Sequence, residues 1–389
     1  MKTTTGFLII LLLATLMINA NEISDPINDF GFDLLRQIDA EDNIVISPYS
    51  IFSALAMTAE GADKETLSQM RSVLKLDKNI TTAESLGALQ NYLLTQSGDN
   101  VELQIANALW MANNYKIRES FINTIQNDYQ AELHQSDFYD QKMVLQEINH
   151  WVADKTNDKI PEILQYLNPA SKLVLLNAIY FKAKWQHKFN PRFTKKEDFH
   201  LNSNETIKAD MMHLTKRFNY YEDDILQAVR MKYDHSDYSM LILLPKKSSL
   251  MPDAIGKLNK DYYNEINSNW ITGNSVFVTI PKFNIDYSRM LNNDLISMGM
   301  PDAFTSGADF SRINGKKDLE IGQVQHRGFI EVDEYGSEAA AVTAVTIKME
   351  SAGPSRDRYE FTADHPFIFL LQENTHKLII FAGIVNNPE

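Results

Sequence analysis

Cysteine is absent from all 389 residues. That excludes thiol catalysis, cysteine–zinc ligation and disulfide staples, so the fold must rest on an apolar core, which a chain of this length can supply. Catalytic signatures are missing too: there is no Gly-x-Ser-x-Gly elbow, no His-Glu-x-x-His zinc helix and no Gly-rich phosphate loop. The nine histidines lie scattered without metal-ligand spacing. Neither an enzyme nor a bound metal or cofactor is expected. A basic excess is also lacking, with 37 Lys and Arg against 51 Asp and Glu and a net charge of −14. Nucleic acid and anionic membrane surfaces are poor partners for such a chain.

Only one long apolar run occurs, from Phe7 to Ile18, preceded by Lys2 and followed by Asn19-Ala20. It is too short to span a bilayer and has the layout of a secretory signal peptide. The expectation is a signal peptide at residues 1–20 and a secreted, extracellular protein at 21–389. Asn387-Pro388-Glu389 is not a retention signal. Without Lys2, 36 basic residues face 51 acidic ones, a net charge of −15. Two sequons in polar surroundings, Asn79-Ile80-Thr81 and Asn204-Glu205-Thr206, are candidate glycosylation sites.

Length alone suggests two domains, yet no Pro/Gly/Ser linker, repeat or low-complexity tract interrupts residues 25–389. Helical spacing dominates early: Ile27, Phe30, Leu34, Leu35 and Ile38 share one face, and 50–60 and 83–94 read the same way. A further helix is expected over 148–164, with Pro161 near its end. Strand-like runs cluster later, at 173–181, 239–244, 276–280, 367–371 and 378–384. Helices first and strands later, without regular alternation, favour an α+β fold.

The most informative segment runs from Glu331 to Ser351, EVDEYGSEAAAVTAVTIKMES. From Ala339 to Ile347 it has no charge, proline or glycine. In steps of two, Ser337, Ala339, Ala341, Thr343, Val345 and Ile347 form one face, and Glu338, Ala340, Val342, Ala344, Thr346 and Lys348 the other. The first set suits a core and the second suits solvent. Yet SAGPSRDR follows, with Gly353 and Pro354, which reads as exposed loop. On these residues alone, an ordinary strand ending in a loop explains the pattern as well as any special role.

Several motifs along the chain bear on that choice. They are Ile46-Ser47-Pro48-Tyr49-Ser50-Ile51, Ile148-Asn149-His150-Trp151-Val152, Leu176-Asn177-Ala178-Ile179-Tyr180-Phe181-Lys182-Ala183-Lys184-Trp185 and Met240-Leu241-Ile242-Leu243-Leu244-Pro245. Ala308-Asp309-Phe310-Ser311, Val324-Gln325-His326-Arg327, Gly336-Ser337-Glu338-Ala339-Ala340-Ala341, His365-Pro366-Phe367 and Phe381-Ala382-Gly383-Ile384-Val385 follow. Each is weak alone. In this order they resemble the serpin family across residues 25–388.

The resemblance implies one serpin domain of about nine helices and three β-sheets, with an exposed reactive-centre loop that baits a protease. After cleavage the loop inserts as a new strand in the main sheet, trapping the acyl-enzyme. The function implied is suicide-substrate inhibition of a serine or cysteine protease by a monomer in a covalent 1:1 complex. The matching positions for the hinge are Glu334, Gly336, Ser337, Glu338, Ala339, Ala340, Ala341, Val342 and Thr343. Those for the "shutter", a polar cluster beneath the opening sheet, are Ser47, Ser50, Asn177 and His326. A lone histidine is more often a satisfied core residue, but four matches at three separate motifs outweigh that here. Trp185 is implied at the "breach" where the loop enters, with Lys282 and Glu334 as a charge pair. If exposed, that pair would be worth about 0–1 kcal/mol. Spacing from the hinge glycine implies a reactive bond between Glu350 and Ser351, with Met349 as runner-up for the specificity residue.

Serpins that carry hormones or assist folding form the rival class. Their hinges tend to hold bulky, charged or proline residues, which resist burial in a sheet. The small, uncharged inward set here favours inhibition. Heparin activation through the helix that binds it in some relatives is not expected, because 81–98 holds no basic residue. Departures from the family pattern are Asp158, where glycine is usual, Tyr335, where a charged residue is usual, and Pro301.

Overall fold

The computed structural model describes residues 23–38, 41–77, 82–96, 101–201, 205–337 and 358–389. The strand Leu173–Lys184 is buried without a break from Leu173 to Phe181, as the middle of a sheet covered on both faces requires. Val101–Ala112 pairs with it antiparallel on one side, and Glu132–Ser136 extends the sheet parallel to Val101–Ala112. On the other side Ile321–Val332 pairs parallel, with Phe283–Met290 antiparallel beyond it.

Side chains divide the two faces of this main sheet by their alternation. Ala106, Trp110, Val174, Leu176 and Ala178 point to a small cluster closed by Val144, Ile148 and Val152 of the helix Gln141–Lys155. Leu109, Leu173, Leu175, Ile179 and Phe181 point the other way, into the large core. There the helix Pro48–Ala59, buried at every position, contacts both the main sheet and the strand Leu378–Val385. Ser47 caps that helix, its Oγ accepting from the Ser50 amide, and Pro48 takes the first helical position, where no donor is needed.

A second six-stranded sheet orders Ile44–Ile46, Leu378–Val385, Phe367–Glu373, Tyr238–Pro245, Leu226–Lys232 and Asn219–Glu222. A third sheet of four strands orders Arg358–Thr362, Ser275–Pro281, Thr206–Arg217 and Lys195–His200. With the helix at 23–37, the described residues hold ten α-helices and three sheets, a mixed α+β fold. The face read at Ile27, Phe30, Leu34, Leu35 and Ile38 is buried throughout.

The helix expected over 148–164 is corrected at both ends: it begins at Gln141 and stops at Lys155. Thr156 turns its hydroxyl back onto the Val152 carbonyl, and Asn157 and Asp158 adopt left-handed backbone, with φ of 51° and 59°. Two consecutive left-handed residues cannot continue a right-handed helix. They also account for Asp158 at a glycine position, since Asp and Asn are the side chains that best tolerate this conformation. Pro301 is accommodated because it opens the short 3-10 turn Pro301–Phe304. The strands Val101–Ala112 and Glu132–Ser136 fall early in the chain, so the sequence order of helices before strands holds only loosely.

Candidate functional site

Ile321–Val332 and Leu173–Lys184 pair directly from Ile321 opposite Leu173 up to Phe329 opposite Tyr180. Beyond that point they fork, and Gly336–Ser337 enters the fork antiparallel to both. Val332 lies opposite Ser337, which lies opposite Ala183. The reversal is built locally over Asp333 to Gly336. The Asp333 carboxylate accepts from the amides of Tyr335 (2.7 Å) and Gly336 (3.1 Å), and the Asp333 amide donates to the Gly336 carbonyl. A short acid that captures its own following amides is the usual nucleus of such a turn. Burial raises the Asp333 carboxyl, partly offset by these two amides.

Gly336 fits only because it lacks a side chain. A Cβ there would lie 2.0 Å from the Ala183 carbonyl oxygen and 2.8 Å from the Lys184 Cα, both backbone atoms. Ser337 follows, fully buried, its Oγ 2.6 Å from the Tyr233 hydroxyl. Tyr233 stacks on Trp185 with ring centroids 4.5 Å apart, and burial keeps its phenol protonated. Trp185 closes the pocket: its indole N–H donates to the Asp333 carbonyl and its amide to the Tyr335 carbonyl, both at 2.9 Å.

Glu334 anchors the turn from outside. It accepts from Thr194 Oγ1 at 2.7 Å and pairs with Lys282 Nζ at 3.1 Å, while its carbonyl accepts from the Phe189 amide. The pair is not an exposed one: the Glu334 side chain is only 7 % exposed, against 40 % for Lys282. Burial alone would raise the Glu334 carboxyl, but the hydrogen bonds from Thr194 and Lys282 more than offset it and hold it below its ordinary range. The Lys282 ammonium moves up in turn, against its own partial burial.

Four residues named from sequence converge where the two strands are still paired. His326 Nδ1 donates to Asn177 Oδ1, Asn177 Nδ2 to Ser50 Oγ, and Ser50 Oγ to Asn107 Oδ1, while Ser47 caps the helix that carries Ser50. His326, Asn177 and Asn107 occupy one register across three adjacent strands. His326 is fully buried, and its Nε2 faces the Val45 backbone without reaching hydrogen-bond geometry. Burial pushes the imidazole down to about 3, so it is held neutral. A buried polar row of this kind costs energy unless its members satisfy one another.

Sequence reasoning missed Asn107, Tyr233, Thr194 and Asp333. Asn107 had a signal, as a lone amide inside the otherwise apolar run from Ile105 to Trp110. Tyr233, Thr194 and Asp333 had none, because they meet the fork through long-range folding alone. Glu338 to Thr343, Met349, Glu350, Ser351, Asn79 and Asn204 lie outside the described residues. The chain is described again at Arg358, where Arg358–Thr362 forms the edge of the four-stranded sheet, parallel to Ser275–Pro281. Arg358 lies over the Phe277 ring, and Tyr359 stacks on Tyr220. Among the described residues no group of acidic or histidine side chains could hold a metal, and no helix is long and apolar enough to cross a membrane.

Comparison with known proteins gives one consistent result. A family model described as "Serpin (serine protease inhibitor)" matches residues 25–388. An uncharacterized serpin-like protein of Thermococcus kodakarensis is 37% identical, over 94% of this chain and 86% of its own. A leukocyte elastase inhibitor of Xenopus tropicalis is 34% identical over 94% of this chain and 99% of its own. Among solved structures, a thermophilic serpin, tengpin, in the native state superposes with a TM-score of 0.87, at 31% identity over 94% of each chain.

Two outcomes follow from the geometry. Gly336→Ala should expel the two inserted residues, since the new methyl would meet backbone that cannot yield. Hydrogen exchange of the Ala183 to Trp185 amides should accelerate, and unchanged protection there would contradict the close-approach argument. His326 gives the second. With its folded value near 3 and an ordinary value near 6.5, the unfolded chain takes up a proton below pH 6.5 that the folded chain refuses. Stability is therefore lost as pH falls from 6.5 towards 3, on the order of 1 kcal/mol between pH 7 and 5.5. Urea midpoints should show this slope in the wild type and a shallower one in His326→Gln; equal slopes would count against a neutral buried imidazole.

Proposed function

The chain belongs to the serpin family, and from that premise we propose that it is a secreted suicide-substrate inhibitor of a serine protease, or of a cysteine protease with the same acyl chemistry. The observation that carries this reading is Ser337, the first inward residue of the loop, already seated in the fork and bonded to Tyr233. In this reading residues 1–20 are removed, 21–389 act as a single monomeric domain, and Asn79 and Asn204 are glycan acceptors.

The protease supplies the nucleophile and this chain the carbonyl of Glu350. Attack there breaks the Glu350–Ser351 peptide bond, the amine of Ser351 leaves with a proton, and Glu350 stays esterified to the enzyme. The inserted strand would continue the observed register as far as the irregularity between Ile321 and Gln323. Continued from Ser337 opposite Ala183 and opposite Val332, the inserted strand would bring Thr343 opposite both Asn177 and His326, so the one hydroxyl of the inward set beyond Ser337 would arrive at the polar row it must part. Ala339, Ala341, Val345 and Ile347 meet the apolar core. Ile347 comes opposite Leu173, the far end of the flanking strand, and Glu350 clears that end by three residues.

That length supports a bond at Glu350. At about 3.3 Å per residue, the twelve residues from Gly336 to Ile347 carry the acyl-enzyme about 40 Å down the sheet. Cleavage after Arg356 would add six residues and about 20 Å of slack, enough for the enzyme to sit undistorted and deacylate. Pro354 would also sit poorly near an inserted strand.

The test is the C-terminal peptide released from a denatured covalent complex, formed with a protease that cleaves after Glu or Met. A peptide beginning at Ser351 is expected. One beginning at Asp357 or Tyr359, in a stable complex, would overturn the assignment, and cleavage without any covalent complex would favour the carrier class.

A further inference from the structure

The chain is strongly acidic, yet residues 182–217 hold nine Lys and Arg against four Asp and Glu. This segment runs from the top of the main sheet, past the base of the loop, into two strands of the four-stranded sheet. Its acids are largely matched: Asp198 pairs with Lys208 (2.7 Å), Asp210 with Lys196 (3.5 Å), and Glu197 lies 3.2 Å from His213. Arg192 and Lys195 are exposed and have no carboxylate partner among the described residues. Between them Phe193 stands 55% exposed at the end of the turn Pro191–Phe193.

The position of these side chains matters more than their number. Thr194, flanked by Phe193 and Lys195, donates its hydroxyl to Glu334, and Lys282 completes the same contact. The surface is thus fixed to one stem of the loop. The other stem, Arg358–Thr362, is the opposite edge of the sheet whose near edge is Lys195–His200. The two described stems of the loop thus flank this sheet.

We propose that Arg192, Phe193 and Lys195 form an exosite that receives an acidic face of the target protease beside the base of the loop. The inference rests on the inhibitory reading above and adds a partner property to it. A cationic edge on an anionic protein steers an acidic partner in and repels others, raising the association rate rather than altering the chemistry. Phe193 supplies the apolar anchor that a charged rim lacks.

The test compares anionic and cationic isoforms of a chymotrypsin-class protease that cleaves after Glu, with wild type and with Arg192→Glu/Lys195→Glu. At low salt, the double variant should trap the anionic isoform about tenfold more slowly and the cationic isoform no more slowly. The difference should vanish at high salt, where the Debye length drops to about 3 Å. Phe193→Ala should slow both isoforms at either salt. An unchanged melting temperature in each variant would show that the fold is retained. Equal rates for wild type and double variant with the anionic isoform would overturn the exosite. So would loss of retention on immobilised heparin without a change in trapping rate, which would assign the surface to a polysaccharide. Absence of any covalent complex with wild type would instead sink the inhibitory reading, and the exosite with it.

Discussion

Everything distinctive here depends on two strands that want a third between them. Ile321–Val332 and Leu173–Lys184 are parallel neighbours below and forked above. A parallel pair is slightly weaker per residue than antiparallel pairing, and here the parallel contact is the one that an antiparallel insert would replace on both flanks. The turn at Asp333, the side-chain-free Gly336 and the Ser337–Tyr233 bond hold the first two residues of such an insert in place. Trp185 and the Glu334–Lys282–Thr194 contact tether the turn that precedes it.

The polar row is the natural counterpart of that fork. His326, Asn177 and Asn107 tie three strands at one level, with Ser50 reaching up from the helix beneath. An apolar seam would part at the cost of exposed surface alone; a hydrogen-bonded one must also break specific bonds. The arrangement leaves His326 Nε2 without a hydrogen bond, an incompletely satisfied group at the level where the proposed insert would bring the Thr343 hydroxyl. Under the proposed function the intact fold would be a kinetically held state, with barriers at the polar row and at the turn.

Much of this was legible in the sequence, and the reasons differ by element. Buried strands such as Phe367–Glu373 and Leu378–Val385 announce themselves because both faces must be apolar. The small residues alternating from Ser337 suggested a strand fit for burial, and Ser337, the one residue of that inward set among the described residues, is buried. The helix end at Lys155 was missed because two left-handed residues look polar and ordinary in sequence. Tyr233 and Thr194 were missed because their importance comes from side chains far away in sequence, Ser337 and Glu334. The burial of Glu334 likewise followed from tertiary packing that no local pattern encodes.

Under the proposed function the main sheet is incomplete and the loop would complete it. Cutting the loop once, with the protein otherwise untouched, frees the strand to enter. A dozen backbone hydrogen bonds at a net 0.5–1.5 kcal/mol each would add roughly 10 kcal/mol, enough to raise the melting temperature by about 10 °C or more. Melting curves of intact and singly nicked protein decide it. A large upward shift on nicking is the predicted result, and coincident curves would contradict the account.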